Sequence, residues 1–162
     1  MIMDVAALIH EARAKGVTIA TAESCTAGMI AAALTDVPGS SSVVDRGYVT
    51  YSNRAKQEML GVRESTLAAV GAVSEEVAVE MAEGALTRAD VTLSIAVTGI
   101  AGPGGSEHKP EGRVCFALAQ QKLPTHVETV DFGPLGREQV RAATRDHALS
   151  LIWQSLTANP QG

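Results

Sequence analysis

The spacing of apolar residues alternates along the chain between a helical period and a strand period. Over residues 5–12 they recur at helical spacing, directly after Asp4, a residue type that favours the N-cap position. Gly16 is typical of a helix end, and the apolar run at 17–20 predicts a strand. The chain is therefore expected to open with a helix that leads into a strand.

The same pattern divides the remaining chain into further helices and strands. Helices are predicted at 26–35, from a cap at Asn53 to Leu60, from Glu64 to Val70, from Ser74 to about Asp90, and at 137–156. Strands are predicted at 43–51, 91–98, 113–119 and 126–132. The unbroken apolar run at 91–98 is typical of a central strand covered on both faces. Together these elements predict an α/β fold, a three-layer α/β/α sandwich with a mixed, mostly parallel sheet.

Composition and charge narrow the function classes. The 162 residues suit one domain over residues 1–162, with a frayed tail at 157–162. A net charge of −5, few aromatic residues and no basic block disfavour nucleic acid as a partner. No signal peptide and no apolar run of membrane-spanning length is present, so we expect a cytoplasmic protein with no membrane partner that acts on a small molecule.

A cluster of nucleophile-capable side chains lies at residues 21–28, between the first strand and the next helix. Ser24, Cys25 and Thr26 lie beside the carboxylate of Glu23, and the N–H groups that start the helix predict an anion pocket. The alternative is that Ser24 and Thr26 cap the helix while Cys25 fills core space. Both interpretations stay open at this point.

A second serine cluster follows Gly39, and Lys56 comes one strand later. A lysine can act as base to a serine if burial lowers its pKa toward neutrality. Ordinary turn chemistry and an exposed helical lysine explain the same residues. The two cysteines and four histidines show no spacing typical of a metal site, so we expect no metal.

The loop from Gly99 to Gly112, called here the glycine loop, is the third candidate site. Its glycine-rich start resembles a phosphate-binding loop, but Gly105 stands where that loop requires lysine, which disfavours a phosphotransfer enzyme. Such a loop still lets backbone N–H groups approach a ligand closely, and Thr98 ends the strand before it. Arg137, at the start of the last helix, can bind an anion as a fork or remain a surface charge.

Taken together, these segments resemble one family over nearly the whole chain. They are Thr21-Ala-Glu-Ser-Cys-Thr-Ala-Gly28, Gly39-Ser-Ser41, Gly47-Tyr-Val-Thr-Tyr-Ser-Asn-Arg-Ala-Lys56, Gly71-Ala-Val-Ser-Glu75 and Thr98-Gly-Ile-Ala-Gly-Pro-Gly-Gly-Ser106. In this order they are similar to the CinA C-terminal domain family. The chain departs from the family pattern at two positions. Ala27 stands where many members have glycine, and Gly104 stands where some have an acidic residue.

The resemblance implies a homo-oligomeric amidase of pyridine mononucleotides that needs neither metal nor cofactor. It implies hydrolysis of nicotinamide mononucleotide to nicotinic acid mononucleotide and ammonia through a serine/lysine acyl-enzyme. Ser41 is expected as nucleophile, Lys56 as its base and Tyr51 as a proton-transfer aid, while a variant makes Ser24 or Cys25 the nucleophile. The expected substrate-binding residues are Ser24, Glu23, Thr26, Gly39, Thr98, Gly99, Gly102 and Arg137, the last for the phosphate.

A different function class is also compatible with the resemblance. The family's domain occurs fused behind another enzymatic domain in competence/damage-associated proteins, where it can serve as a non-catalytic nucleotide-binding or regulatory module. Ammonia release separates the two hypotheses, because a binding module would bind the nucleotide without hydrolysing it.

Overall fold

The computed structural model describes residues 3–106 and 108–158, and helices and strands occupy most of them. The helices are α1 (Val5–Ala14), α2 (Met29–Thr35), α3 (Asn53–Leu60), α4 (Glu64–Val70), α5 (Glu75–Ala89) and α6 (Arg137–Thr157). The strands are β1 (Ile19–Glu23), β2 (Val44–Val49), β3 (Leu93–Gly99), β4 (Arg113–Gln120) and β5 (His126–Asp131).

The five strands form one mixed sheet in the order β2-β1-β3-β4-β5. β1 pairs in parallel with both β2 and β3, whereas β4 is antiparallel to β3 and β5 is antiparallel to β4. Four of the five strands therefore run in the same direction. The predicted mixed, mostly parallel sheet is confirmed.

Helices cover both faces of the sheet, and the two faces carry side chains of different size. Alternate residues of β4 make the contrast clear: Phe116 packs toward α1, α2 and α6, whereas Ala117 packs toward α5. Small residues on the second face let α5 approach the sheet closely. On α5 itself, a Cβ at Gly84 would lie 2.0 Å from the carbonyl oxygen of Leu60, so only glycine permits this approach of α3. The three-layer arrangement predicted from the sequence is confirmed.

Most predicted boundaries agree with the structure, and the main exceptions lie at residues 20–29 and at the start of α3. The first strand runs on through Glu23, and α2 begins at Met29 instead of residue 26, because an irregular turn intervenes. Helix α3 is capped by Ser52, whose Oγ accepts from the N–H of Ala55, so the prediction of Asn53 as the cap is wrong and Asn53 is the first helical residue. Of the predicted frayed tail, Thr157 ends α6, and residues 159–162 lie outside the described residues.

Candidate active site

A cavity of about 320 Å³ lies where the carboxyl ends of β1, β2 and β3 meet at one edge of the sheet. Parallel strands bring their ends together in this way, which is why open α/β sheets bind ligands at that edge. Seven of the predicted site residues line the cavity: Ser24, Tyr51, Lys56, Thr98, Gly99, Gly102 and Arg137. The cavity is thus built from three strand ends, the start of α3, the glycine loop and the start of α6.

Lys56 and Ser24 form a buried pair at the floor of the cavity. Lys56 lies on the inward face of α3 and is only 2% exposed, and Ser24 is 7% exposed. The Lys56 Nζ donates to Ser24 Oγ at 2.9 Å and to the carbonyl oxygens of Thr50 and Tyr51 at 3.0 and 3.2 Å. Two carbonyls therefore orient the amine so that its third hydrogen bond is made with the serine hydroxyl.

Ser24 belongs to the turn of residues 24–28, called here the Ser24 turn. Glu23 stabilises this turn by accepting hydrogen bonds from it. The buried Glu23 carboxylate accepts the hydroxyl of Thr26 at 2.6 Å and the N–H groups of Gly28, Ile30 and Ala31 at 2.9–3.1 Å. It caps α2, whose own N-cap residue is a glycine that offers no side chain. The N–H groups expected to form an anion pocket are therefore occupied, and Glu23 and Thr26 do not line the cavity.

The Ser41 turn, residues 39–42, lies away from this cavity. It includes a short 3-10 helix that precedes β2, and Ser41 is exposed. Lys56 follows β2 instead, and five residue steps along that strand span roughly 16 Å. Because β1 and β2 are parallel, Ser41 and Gly39 lie at the amino end of the strands and Ser24 at the carboxyl end. The structure brings Lys56 together with Ser24 and not with Ser41.

The mouth of the cavity is bridged by Arg137. Its Nη1 donates to the carbonyl oxygen of Gly102 in the glycine loop at 2.7 Å, and its Nη2 donates to the hydroxyl of Tyr51 at 2.6 Å. Both the guanidinium and the tyrosine ring are exposed. A positive fork thus lies at the entrance, with its planar donors close to a glycine-rich backbone, which suits an anionic group of a ligand.

The glycine loop is anchored to the segment that links α4 to α5. Thr98 Oγ1 donates to the carbonyl oxygen of Ala72 at 2.9 Å. From the far end of the loop, Lys109 Nζ donates to the carbonyl oxygen of Val70 at 2.6 Å and also to that of Val73. These contacts hold the wall opposite the Ser24 turn. Thr98 therefore supports the cavity wall as well as lining it.

Cys25 lines the same cavity but is a poor nucleophile. Burial raises the pKa of its thiol to about 11, although its own backbone N–H and the charges of Arg141 and Lys56 act in the opposite direction. The thiolate, not the thiol, is the reactive form, so Cys25 stays protonated near neutral pH. Of the two nucleophiles that the Ser24 turn offers to the cavity, the serine is the one with a basic partner.

Sequence reasoning missed Arg141, which contacts the Ser24 turn from α6. Its Nε donates to the carbonyl oxygen of Cys25 at 2.9 Å and its Nη2 to that of Thr26 at 3.3 Å. The residue follows Arg137 by four positions, so the two share one face of the helix. That spacing was the available signal.

No described helix is long and apolar enough to span a membrane. No group of three or more described His, Cys, Asp or Glu side chains could hold a metal ion.

Known proteins resemble the chain in both sequence and structure. The CinA C-terminal domain model matches residues 4–156. A CinA-like protein of Chlorobium phaeobacteroides (strain BS1) is 53% identical over 146 residues, which are 88% of this chain and 35% of that longer protein. The nicotinamide-nucleotide amidohydrolase PncC of Escherichia coli (strain K12) is 49% identical over 148 residues, 91% of this chain and 89% of that protein. The crystal structure of competence/damage inducible protein CihA from Agrobacterium tumefaciens superposes with a TM-score of 0.87 at 45% identity, covering 95% of this chain and 96% of that one.

Proposed function

Since the chain belongs to the CinA C-terminal domain family, we propose that it is an amidohydrolase that converts nicotinamide mononucleotide to nicotinic acid mononucleotide and ammonia. The observation that carries the proposal is the buried contact of 2.9 Å between Lys56 Nζ and Ser24 Oγ inside the cavity. A buried lysine amine in hydrogen-bond contact with a serine hydroxyl is the arrangement that serine/lysine hydrolases need.

In the proposed first step, Ser24 Oγ attacks the carboxamide carbon and its proton passes to the neutral amine of Lys56. The carbonyls of Thr50 and Tyr51 accept the two hydrogens of the neutral amine, so its lone pair is directed at the serine. When the tetrahedral intermediate collapses, the carbon–nitrogen bond breaks and the same proton leaves with ammonia. Water, activated by Lys56, then hydrolyses the ester and restores Ser24.

The oxyanion of this intermediate needs backbone donors, and a single donor is worth roughly 3 kcal/mol. Glu23 already occupies the N–H groups at the start of α2. We therefore assign the oxyanion to N–H groups of the glycine loop, whose first residues, from Gly99 to Gly102, line the cavity. The N–H of Ile100 is not one of them, because it already donates to the carbonyl oxygen of Arg113 at 2.9 Å. At the mouth, the Arg137 guanidinium would bind the substrate phosphate, and the Tyr51 hydroxyl beside it would assist proton transfer.

An ammonia assay on the mononucleotide, with nicotinamide riboside and free nicotinamide as comparison substrates, tests both the reaction and phosphate recognition. We expect release from the mononucleotide and much slower release from the other two. Lys56→Met should lower kcat by about 10²- to 10⁴-fold, the usual worth of a general base, while circular dichroism remains unchanged. Tight binding of the mononucleotide with no ammonia release would instead support the regulatory-module hypothesis.

The assembly implied by the family resemblance also stays a proposal. We expect a homo-oligomer, and light scattering of the purified chain would measure its mass against the 16.8 kDa of one copy.

A further inference from the structure

Arg141 supports the Ser24 turn from outside the cavity. Its half-buried guanidinium donates to two successive carbonyls of the turn, those of Cys25 and Thr26, at 2.9 and 3.3 Å. Arg141 is not among the cavity-lining residues, and it forms no ion pair with a carboxylate of residues 3–106 or 108–158. Its charge is therefore directed at the backbone of the turn.

The backbone of this turn needs such support. Ala27 adopts a φ of +47°, a left-handed conformation that a Cβ disfavours, and Gly28 follows with a φ of +103°. Conformations of this kind persist only where surrounding contacts hold them. Two side chains of opposite charge hold the turn in this conformation. The Glu23 carboxylate accepts the Thr26 hydroxyl and the Gly28 N–H, and the Arg141 guanidinium donates to the carbonyls of the turn.

We propose that Arg141 is a positioning residue for the amidase reaction, which holds Ser24 Oγ against Lys56 Nζ through the carbonyls of Cys25 and Thr26. This inference rests on the proposed function. Without the guanidinium, two carbonyls beside the nucleophile lose their donors and the left-handed turn relaxes. A nucleophile displaced by about 1 Å reacts on the order of 10²-fold more slowly, even if the substrate still binds.

Three variants and two readouts test the proposal. Arg141→Met removes the donors, Arg141→Lys keeps the charge but not the fork, and Arg145→Met is a matched control one helical turn further along α6. The Arg145 side chain pairs with Asp146 at 2.8 Å and forms no hydrogen bond with residues 24–28. The readouts are steady-state ammonia release from nicotinamide mononucleotide and the rate at which a fluorophosphonate labels Ser24, measured by intact mass and peptide mapping.

We expect Arg141→Met to lower both kcat and the labelling rate by roughly 10- to 100-fold, with KM little changed because the residue does not line the cavity. Arg141→Lys should recover part of the loss, since a point charge does not bind two carbonyls as a planar fork does. Arg145→Met should match the wild type in both readouts. If Arg141→Met does not fold, the comparison of Arg141→Lys with Arg145→Met decides the question.

The proposal is overturned if folded Arg141→Met has the same kcat and labelling rate as the wild type. It is also overturned if the substitution raises KM and changes neither kcat nor the labelling rate. A full recovery in Arg141→Lys would replace positioning by a simple charge effect and would overturn it too. A third outcome is that the wild-type chain releases no ammonia from the mononucleotide, although Ser24 is labelled faster in the wild type than in Arg141→Met. That outcome would contradict the proposed function and leave the positioning role of Arg141 intact. A wild-type chain that is neither labelled nor active would overturn both.

Discussion

Two turns rich in hydroxyl groups lie at opposite ends of the same pair of parallel strands. The Ser24 turn follows β1, and the Ser41 turn precedes β2. Both contain glycine at a positive φ, Gly28 in the first and Gly39 in the second. Yet Ser24 is buried against Lys56 in a cavity, whereas Ser41 is exposed.

The contrast teaches that neighbours, and not residue type, make a serine a candidate nucleophile. At the carboxyl end, three strand ends converge and bring a lysine, a glycine loop and two arginines of α6 to one place. At the amino end, the side chain of Ser42 bonds, among the described residues, only within the turn, where its Oγ donates to the carbonyl oxygen of Gly39 at 3.0 Å. Strand direction therefore decides which of two similar turns has chemical partners.

Exchange of each serine for alanine is the largest expected difference between the two turns. Ser24→Ala should lower kcat for ammonia release by at least about 10³-fold, because the nucleophile is lost. Ser41→Ala should leave kcat near the wild-type value. Steady-state assays at saturating mononucleotide measure both. The reverse result would move the reaction to the amino end of the strands.

The thiol within the Ser24 turn gives a second comparison. Because burial raises the pKa of Cys25 from 9.0 to about 11, its thiolate fraction at pH 8 should be roughly 100-fold below that of an ordinary thiol. We expect slow alkylation by iodoacetamide in the folded protein at pH 8, an increase in rate toward pH 11, and fast reaction in denaturant. Rapid alkylation of folded protein at pH 8 would make Cys25 a competitor of Ser24.

Two arginines, one at the mouth of the cavity and one beside the Ser41 turn, should differ in their effect on substrate binding. Arg137→Gln should raise the KM for the mononucleotide roughly 10- to 100-fold, because hydrogen bonds to a charged group contribute that much to binding. The KM for nicotinamide riboside, which has no phosphate, should not change. Arg13 is the matched control, because its Nη1 lies 3.7 Å from where a Cβ on Gly39 would be. An equal effect of Arg13→Gln on KM would show that the mouth of the cavity does not select the phosphate.

The smallest expected effects concern backbone strain. Gly39 has a φ of +87°, so Gly39→Ala should destabilise the fold by about 1–2 kcal/mol in urea unfolding without lowering kcat. Ala27 has a φ of +47°, and Ala27→Gly should stabilise the fold by up to about 1 kcal/mol. A stability change of the opposite sign in either variant would contradict the assigned conformations.

The sequence predicted the elements well and the site only in part. Apolar spacing and caps located α1 after Asp4 and α5 after Ser74, because both signals are local. The contact between Ser24 and Lys56 joins residues 32 positions apart and depends on β1 and β2 being parallel, which no local pattern specifies. The local pattern gave one indication of this contact: Lys56 lies four residues before Leu60, on the inward face of α3.

Glu23 shows a different limit of sequence reasoning. A carboxylate beside hydroxyl groups suggested a ligand contact, but the residue ends β1 and its side chain turns to the N-terminus of α2. The reason is that α2 begins after Gly28, which cannot cap it with a side chain. Without the exact start of the helix, the capping role could not be distinguished from a binding role.

The most direct test of the account is to identify the serine that carries the acyl group. Acid quenching during turnover of nicotinamide mononucleotide, followed by proteolysis and mass spectrometry, locates the ester along the chain. The account predicts an adduct on the peptide that contains Ser24, and no adduct in Lys56→Met. An adduct on the peptide that contains Ser41 would contradict the central claim that the carboxyl ends of the parallel strands form the active site.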